Sequence, residues 1–565
     1  MKKTSQTHPL RIDSVQPLGL KGKIGMTLCP GKVQAVALSG QWERDLESDL
    51  AAIQAWGASV LISLMEPQEF KTFQVERMAE LMPAGIEHHV LPIVDAGIPT
   101  ASWEQKWQEV GPKVRQYLRE GHDIVIHCLG GLGRTGLLAA RLLVEFGESP
   151  REAIARVRRA RRGAIETRLQ EEYVLRQQAV NDPFGPSGLR PHYDVDPGLL
   201  DRYVGCLLGG AVGDALGAPV EFMDLGAIRR QFGPGGIRDY VPAYGRLGAI
   251  TDDTQMTLFT AEGLLRACVR VRQRGIGPAF EAVTCHAYLR WLQTQGHRSA
   301  IRIPGEGGWL IGHKELFNRR APGMTCLSAL ETKVQREEPA HNDSKGCGGV
   351  MRMAPVGLFV ASWQMEAGEQ MRQAFELGCQ LAAITHGHPS GQLPAGVLAV
   401  LVLRLVQGAD LMAALFDAKS ILARYPRNEE TLEAMLQAEV LARSDCRADE
   451  CIASLGEGWV AEEALAIAIF CAQRAESFEE GVAMAVNITG DSDSTGAITG
   501  NLLGAALGKD AIPGRWLDSL ELREVIVEVA EDLASWPAWP IAEYPFEDPT
   551  QAAEQEYWQG RYPPN

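Results

Sequence analysis

Two patterns of apolar and polar positions divide the chain. Over residues 1–180, short apolar runs rich in β-branched residues alternate with amphipathic stretches. ASVLISLM (58–65), EHHVLPIV (87–94) and DIVIH (123–127) read as strands. WEQKWQEVGPKVRQYLREG (103–121) and RTGLLAARLLVEF (134–146) place their apolar residues at helical spacing. Strands alternating with helices predict an α/β sheet. From Leu199 onward that alternation is nearly absent. Stretches such as EEALAIAIFCAQRA and EEGVAMAVNIT are helical in period, with glycines where helices must approach closely or present backbone to a ligand. Between the two regions, NDPFGPSGLRPHYDVDPG (181–198) is rich in Pro and Gly and follows neither pattern. The expected organisation is multidomain: an α/β domain over 1–182, a linker over 183–198 and an all-α domain over 199–565.

Charge sharpens the division. Of 55 basic and 71 acidic residues, 23 and 22 fall in residues 1–185, leaving 32 and 49 in the remainder. The first region is therefore near neutral and the second strongly acidic, which argues against non-specific nucleic-acid binding by the latter. The 11 cysteines show no paired zinc spacing; CRADEC (446–451) comes nearest and lacks a second pair. Reduced thiols, and with them a cytoplasmic location, are expected. The N-terminal MKKTSQTHPLRIDS has no apolar core of a signal peptide. AGVLAVLVL (395–403) is about half the roughly 20 residues that cross a bilayer and reads as a buried helix, so no membrane partner is expected.

HCLGGLGRTG (127–136) joins the strand DIVIH to a helix. Its glycines allow successive N–H groups to turn toward one point, and the helix N-terminus adds partial positive charge, which makes an anion site. A cysteine there ionises more readily. A buried, inert cysteine beside a glycine turn would account for neither Arg134 nor the strand–loop–helix context. The stretch resembles the protein tyrosine phosphatase superfamily, with its His-Cys-x5-Arg-Ser/Thr signature. The resemblance implies that Cys128 is the nucleophile and that Arg134 grips the phosphate. It implies that Thr135 donates to the cysteine sulfur, that His127 orients the loop, and that Gly130, Gly131 and Gly133 line it. HHVLPIVDAGIP supplies Asp95. Taken alone, Asp95 reads as a turn-capping residue. The segment resembles the cyclin-dependent-kinase-inhibitor-3-like branch of dual-specificity phosphatases, as do LESDLAAIQAWGASVLISLME and RRGAIETRLQEEYV, and on that resemblance Asp95 is the general acid. Gln170 either positions water or is an ordinary helix residue.

The second region carries two acidic clusters at helix starts: Thr251, Asp252 and Asp253 in AITDDTQ, and Asp491, Asp493 and Ser494 in TGDSDSTG. Either could be a simple N-cap. Adjacent or alternate acids repel, however, and with hydroxyls beside them they form an all-oxygen set suited to Mg²⁺ or Mn²⁺ rather than zinc. This half resembles the ADP-ribosylglycohydrolase family, whose relatives include the dinitrogen-reductase-activating glycohydrolase. The resemblance implies two Mg²⁺ (or Mn²⁺) ions held by Thr251, Asp252, Asp253, Asp491, Asp493 and Ser494. It places SKGCGGVMRMAPVG, with Gly346, Cys347, Gly348 and Gly349, at the ADP-ribose phosphates through backbone N–H groups, and His386 of ITHGHP near the same ligand. Glu221 falls on a substrate loop, and Asp214 is structural rather than catalytic. Ser494 stands where many relatives carry Thr, and Met324 replaces an expected polar residue.

The expected function is a bifunctional hydrolase that cleaves the C1″ glycosidic bond of an ADP-ribosylated protein or small molecule and dephosphorylates a phosphorylated substrate. Two alternatives stay open. The phosphatase fold could serve only as a phosphate-binding module, or the helical region could be a non-catalytic ADP-ribose reader.

Overall fold

The computed structural model describes residues 2–564 apart from 18–19, 21, 36–39, 120, 178–189, 192, 304–306 and 545. The chain forms two units, Met1–Pro191 and His192–Asn565. Of the expected linker, residues 183–189 and 192 lie outside the described residues. The first helix of the second unit, Pro197–Gly217, starts with Pro at its first position and is capped by Asp196, whose side chain accepts from Leu199 N.

The first unit is built on strands β1 (Asp13–Val15), β2 (Ile24–Thr27), β5 (Ala58–Ser63), β6 (Glu87–Val90) and β7 (Asp123–His127), in the order β1-β2-β7-β5-β6. A separate ribbon pairs β3 (Val33–Gln34) with β4 (Trp42–Glu43). All pairings in the main sheet are parallel except β1 with β2. The two-residue period sorts side chains onto two faces. Ile124 and Ile126 join one core with Ile62 and Leu137, while Val125 and Leu61 join another with Leu50 and Ile53. The central strand β7 ends at His127, paired with Thr27 on one side and Ser63 on the other. Its loop therefore emerges at the carboxyl edge of a parallel sheet, where such folds bind ligands. The apolar run 87–94 is strand only to Val90. Leu91 N still donates to Ser63 O and, beyond Pro92, Ile93 N donates to Leu64 O, so the chain stays tied alongside the sheet without regular strand pairing. The helix after the loop, Gly133–Glu145, is buried along its whole length.

Among the described residues of the second unit the regular elements are all helices, apart from isolated bridges such as Gly346 with Val460. Among the described residues one helix, Pro389–Val406, is long and apolar enough to span a membrane by length and composition, and most of it is buried within the unit. At the centre, Pro197–Gly217 crosses Ser492–Leu507 in antiparallel sense, with backbones nearly touching. A Cβ added at Gly205, Gly209, Gly213 or Gly217 would lie 2.5, 2.3, 2.0 and 2.3 Å from the carbonyl oxygens of Gly504, Gly500, Gly496 and Ser492. The four-residue spacing on both helices keeps the glycines on one stripe. The crossing sets the end of the first helix against the Asp491-capped start of the second.

A second device fixes the segment entering helix Asp252–Arg274. Buried Glu521 takes the guanidinium fork of buried Arg320, accepts from Arg246 Nη1 (2.9 Å) and from Ile250 N (3.2 Å), while Arg320 Nη1 donates to Ile250 O (2.8 Å). Both backbone polar groups of Ile250, its N–H and its C=O, are thus held immediately before Thr251-Asp252-Asp253.

Gly209→Val or Gly500→Val is expected to destabilise the protein by about 1–3 kcal/mol or more through overpacking. The thermal midpoint reads this, and an unchanged midpoint would show that the two backbones are not in contact. Arg320→Ala is expected to cost about 3 kcal/mol in urea unfolding, the lower end for a broken buried pair because Arg246 remains beside Glu521. A loss below about 0.5 kcal/mol, typical of a surface site, would rule out the clamp.

Candidate active sites

In the first unit, the cysteine loop is shaped by close backbone contacts. Gly131 has φ +70°, and a Cβ there would sit 2.2 Å from Thr27 O. At Gly133 a Cβ would meet the Glu166 carboxylate at 2.5 Å, whereas Gly130 faces open space. No side chain caps the helix that starts at Gly133, so its first N–H groups remain available to an anion. Cys128 is buried at the start of this loop. His127 Nε2 lies 2.6 Å from Ser63 Oγ, which is 2.8 Å from His88 Nε2. Burial, reinforced by His88 and Arg134, lowers His127 to about 3, so its ring is neutral at ordinary pH. This fits an orienting role and not proton transfer.

Arg134 is buried and clamped. Glu69 accepts from its Nη1 (2.7 Å) and Nη2 (2.9 Å), the paired geometry of a strong carboxylate contact. Nη1 also donates to Ile93 O at 3.0 Å. Asp95 Oδ1 sits 2.9 Å from Nη2, and its carboxylate is 75% exposed. Asp95 and Arg134, far apart in sequence, are therefore brought together. The Asp95 turn is itself tied down, since Gln170 Nε2 donates to Gly97 O (3.1 Å) and Thr167 Oγ1 to Ala96 O (3.4 Å). Gln170 Oε1 accepts from Glu166 N and Thr167 N. The Gln170 amide is thus engaged at both ends, as the cap that holds the acid turn. Thr135 is buried, but its hydroxyl meets no partner, so the expected hydrogen bond to the cysteine sulfur is not made here.

The second unit contains a cavity of about 380 Å³ lined by Glu221, Asp252, Asp253, Asp491, Asp493 and Ser494, together with Gly346, Cys347, Gly348 and His386. Asp252 and Asp253 start one helix and Asp491 caps another, so two helix N-termini converge. Asp214, fully buried, accepts from Thr251 N (3.0 Å) and Thr254 N (3.1 Å) and anchors the first acidic turn from behind. Thr251 is buried and caps its helix through Asp253 N, and it does not line the cavity. Burial and then the charge of Asp493 raise Asp252, Asp253 and Asp491 well above the usual carboxylate range, and Glu221 is raised by the same two causes. Among the described residues no Lys or Arg lines this cavity.

The donor set fits a hard divalent cation. Asp253 Oδ1 and Glu221 Oε2 are buried without a partner, and the carboxylates lack a compensating charge. Among the described residues, no three His, Cys, Asp or Glu side chains are already drawn together as ligands.

The glycine-rich segment differs from expectation. Gly346 N donates to Ser344 Oγ (3.2 Å) and Cys347 N to Trp459 O (3.1 Å), so neither N–H is free for a diphosphate. A Cβ on Gly349 would lie 2.7 Å from Gly391 O, which places that glycine in helix packing outside the cavity lining. Gly348 does line the cavity. His386, lowered to about 3 by burial and Arg352, lies beneath it; its Cε1 is 3.3 Å from where a Gly348 Cβ would be.

Several participants escaped the sequence reading. Glu69 and the Arg320–Glu521 pair act across long chain separations and carry no local signature. Lys32, buried, donates to Leu129 O (3.4 Å) in the cysteine loop. Phe222 and Trp459 stack at 6.0 Å on the wall of the second cavity, with Phe222 75% exposed. The GEGW stretch, with glycines just before the tryptophan, was the available signal for that wall.

A profile of the ADP-ribosylglycohydrolase family matches residues 196–539. One described as a polymorphic toxin system, DSP-PTPase phosphatase, matches residues 39–148. An uncharacterized protein of Archaeoglobus fulgidus is 30% identical over 344 residues, covering 59% of this chain and 96% of its own length. The ADP-ribosyl-dinitrogen-reductase glycohydrolase of Rhodospirillum rubrum is 25% identical over 335 residues, covering 58% and 92%. Among solved structures, an ADP-ribosylglycohydrolase-related protein complex shares 29% identity over 60% of this chain and 98% of that one, with a TM-score of 0.41. Kinase associated phosphatase shares 26% identity over 29% and 92%, with a TM-score of 0.26. The chain is a hydrolase that belongs to the ADP-ribosylglycohydrolase family and carries a dual-specificity-type phosphatase domain ahead of that region.

Proposed function

We propose that both sites are catalytic: a cysteine-dependent phosphatase in the first unit and a divalent-cation-dependent ADP-ribosyl hydrolase in the second. For the phosphatase, the supporting observation is the meeting of Arg134 and Asp95 beside an uncapped helix N-terminus. The Cys128 sulfur attacks phosphorus and an S–P bond forms. The bond from phosphorus to the leaving oxygen breaks, and Asp95, when protonated, supplies that oxygen's proton. Water then attacks phosphorus, breaking the S–P bond and releasing phosphate. Arg134 offers its planar fork to the phosphate oxygens, with Glu69 fixing the guanidinium plane. The substrate is a phosphorylated protein or small molecule.

For the hydrolase, the supporting observation is the set of buried carboxylates lining one cavity, with orphaned oxygens on Asp253 and Glu221. Asp252, Asp253, Asp491, Asp493 and Ser494 would hold the cation, with Thr251 and Asp214 fixing the first turn. Bound there, Mg²⁺ or Mn²⁺ would offset the carboxylate charge and orient the ribose hydroxyls and a water. Glu221, with a free buried oxygen, faces the substrate. Water adds at C1″, the glycosidic bond breaks, and its electron pair leaves with the aglycone, so ADP-ribose is released from a modified protein or small molecule. Gly348 and His386 also line the pocket.

Cys128→Ser is expected to reduce phosphate release to background while leaving ADP-ribose release unchanged, and equal phosphatase rates would leave only a phosphate-binding module. Glu69→Ala, which frees the Arg134 fork, is expected to lower kcat/KM for an aryl phosphate by about 10²-fold; an unaffected ratio would show that Glu69 does not position the arginine. Asp252→Asn/Asp253→Asn, or a chelator, is expected to abolish ADP-ribose release, with Mg²⁺ or Mn²⁺ restoring the chelated enzyme. Persistence of full activity in either case would overturn the cation-dependent reading, whereas a wild type that binds ADP-ribose but releases none from a modified substrate would favour a reader.

A further inference from the structure

Behind the glycine-rich wall of the second cavity, three buried side chains stand in a row: Arg352, Thr385 and His386. Arg352 Nη2 donates to Thr385 Oγ1 at 2.7 Å, and Thr385 Oγ1 lies 2.9 Å from His386 Nδ1. Among the described residues the guanidinium meets no carboxylate. Its other neighbours are the Cys326 thiol (3.3 Å), the Met256 thioether (3.4 Å), Leu381 O (3.5 Å) and the Tyr288 ring, whose centroid is 4.2 Å away. A buried cation without an acid partner is costly, so its contact with Thr385 calls for a reason.

Counting hydrogens along the row supplies one. A guanidinium only donates, so Thr385 Oγ1 accepts from Arg352. The hydroxyl has one hydrogen to give, and its acceptors are His386 Nδ1 at 2.9 Å and Ala382 O at 3.4 Å. The shorter contact takes it. The guanidinium charge also disfavours a proton on the nearer ring nitrogen. Burial, and then Arg352, keep the ring neutral, at about 3. A neutral imidazole that accepts at Nδ1 carries its proton on Nε2. That edge faces the cavity wall: Cβ atoms on Gly346 and Gly348, both in the lining, would lie 3.4 and 3.6 Å from Nε2. The Nδ1 edge faces Gly349, which is outside the lining, with a Cβ there at 3.4 Å.

Resting on the reading that this cavity binds ADP-ribose, we propose that Arg352 and Thr385 are positioning residues for that ligand. They hold His386 as the Nε2–H tautomer, and the ring presents a neutral donor to an oxygen of ADP-ribose. On this wall the N–H groups of Gly346 and Cys347 are committed to Ser344 Oγ and Trp459 O, so the imidazole supplies a donor that those two peptides do not. Keeping the guanidinium behind the wall fixes the ring without bringing a positive charge among the acids that take the cation.

The test uses the full chain with ¹⁵N-labelled histidines and Mg²⁺ present. Nitrogen NMR reads which ring nitrogen of His386 is protonated, with His386→Asn assigning the signal, and calorimetry reads the affinity for ADP-ribose. The wild type is expected to carry the proton on Nε2. Thr385→Val, which removes the hydroxyl and keeps the side chain's shape, is expected to lose that single tautomer and to bind ADP-ribose about tenfold or more weakly. Thr385→Ser is expected to restore both, and the thermal midpoint reports whether each variant is folded. A wild-type ring protonated on Nδ1, or a folded Thr385→Val with an affinity within about twofold of wild type, overturns the positioning role and leaves the ADP-ribose site standing. A wild type that carries the Nε2 proton and binds no ADP-ribose overturns the reading of the cavity, and the donor role with it.

Discussion

The contact of Pro197–Gly217 with Ser492–Leu507 is the constraint on which the hydrolase site depends. Helices usually pack with axes 8–10 Å apart because side chains stand between them. Here glycines at every fourth position on both helices remove those side chains, and backbone meets backbone. The closeness has a direct chemical consequence. It places Asp491 and Asp493, at the start of one helix, against the end of the other, from which Asp214 projects and after which the chain leads to Glu221. A wider crossing would separate these acids by a side-chain layer, and the cavity between them would lose one wall. Asn501 fastens the same crossing, its Nδ2 donating to Cys206 O at 2.8 Å.

The two sites solve opposite electrostatic problems with related parts. The first is built for an anion, with an uncapped helix N-terminus, Arg134 and the buried Lys32 all directing positive potential toward Cys128's loop. The second gathers carboxylates at two helix N-termini, so the helix dipoles relieve part of the charge that the carboxylates impose on one another. That relief is partial, since burial and mutual repulsion still push these acids upward. Protons or a cation must make up the difference. Asp214, in the same unit, is also raised, to about 7, by burial and then Asp493, but Thr254 and Thr251 hydrogen-bond to it and offset part of that shift, and it anchors the turn from behind.

Much of this was legible in the sequence where the signal is local. The α/β and all-α halves, the strand–loop–helix around Cys128 and both acidic helix starts follow from periodicity and spacing. The run beyond Val90 shows the limit even there, because Leu91 and Ile93 stay hydrogen-bonded to the neighbouring strand's end at Ser63 and Leu64 without regular strand pairing. What was not legible acts over distance. Glu69 is one acid among many until the fold lays it on Arg134, and Glu521 shows its role only with Arg320 and Ile250 folded onto it. The glycine-rich segment, which lines the cavity through Gly346, Cys347 and Gly348, shows a related limit. A run of glycines suggests free N–H groups, but the N–H of Cys347 pairs with Trp459, and Gly349 exists to let a helix approach.

Arg134 illustrates how a fixed and an exchangeable partner divide the work at one residue. Glu69 is mostly buried, holds both terminal nitrogens of the guanidinium and is itself set by its helix cap with Glu66 N. Breaking such a buried pair costs several kcal/mol. Asp95 touches only Nη2, and its carboxylate is largely in solvent. An exposed pair of this kind is worth about 0–1 kcal/mol. An arriving phosphate, able to engage the fork and the helix N–H groups together, therefore displaces Asp95 at little cost and leaves Glu69 in place. The displaced carboxylate remains tethered at the site by Thr167 and Gln170 through the turn behind it, within reach of the oxygen that must gain a proton.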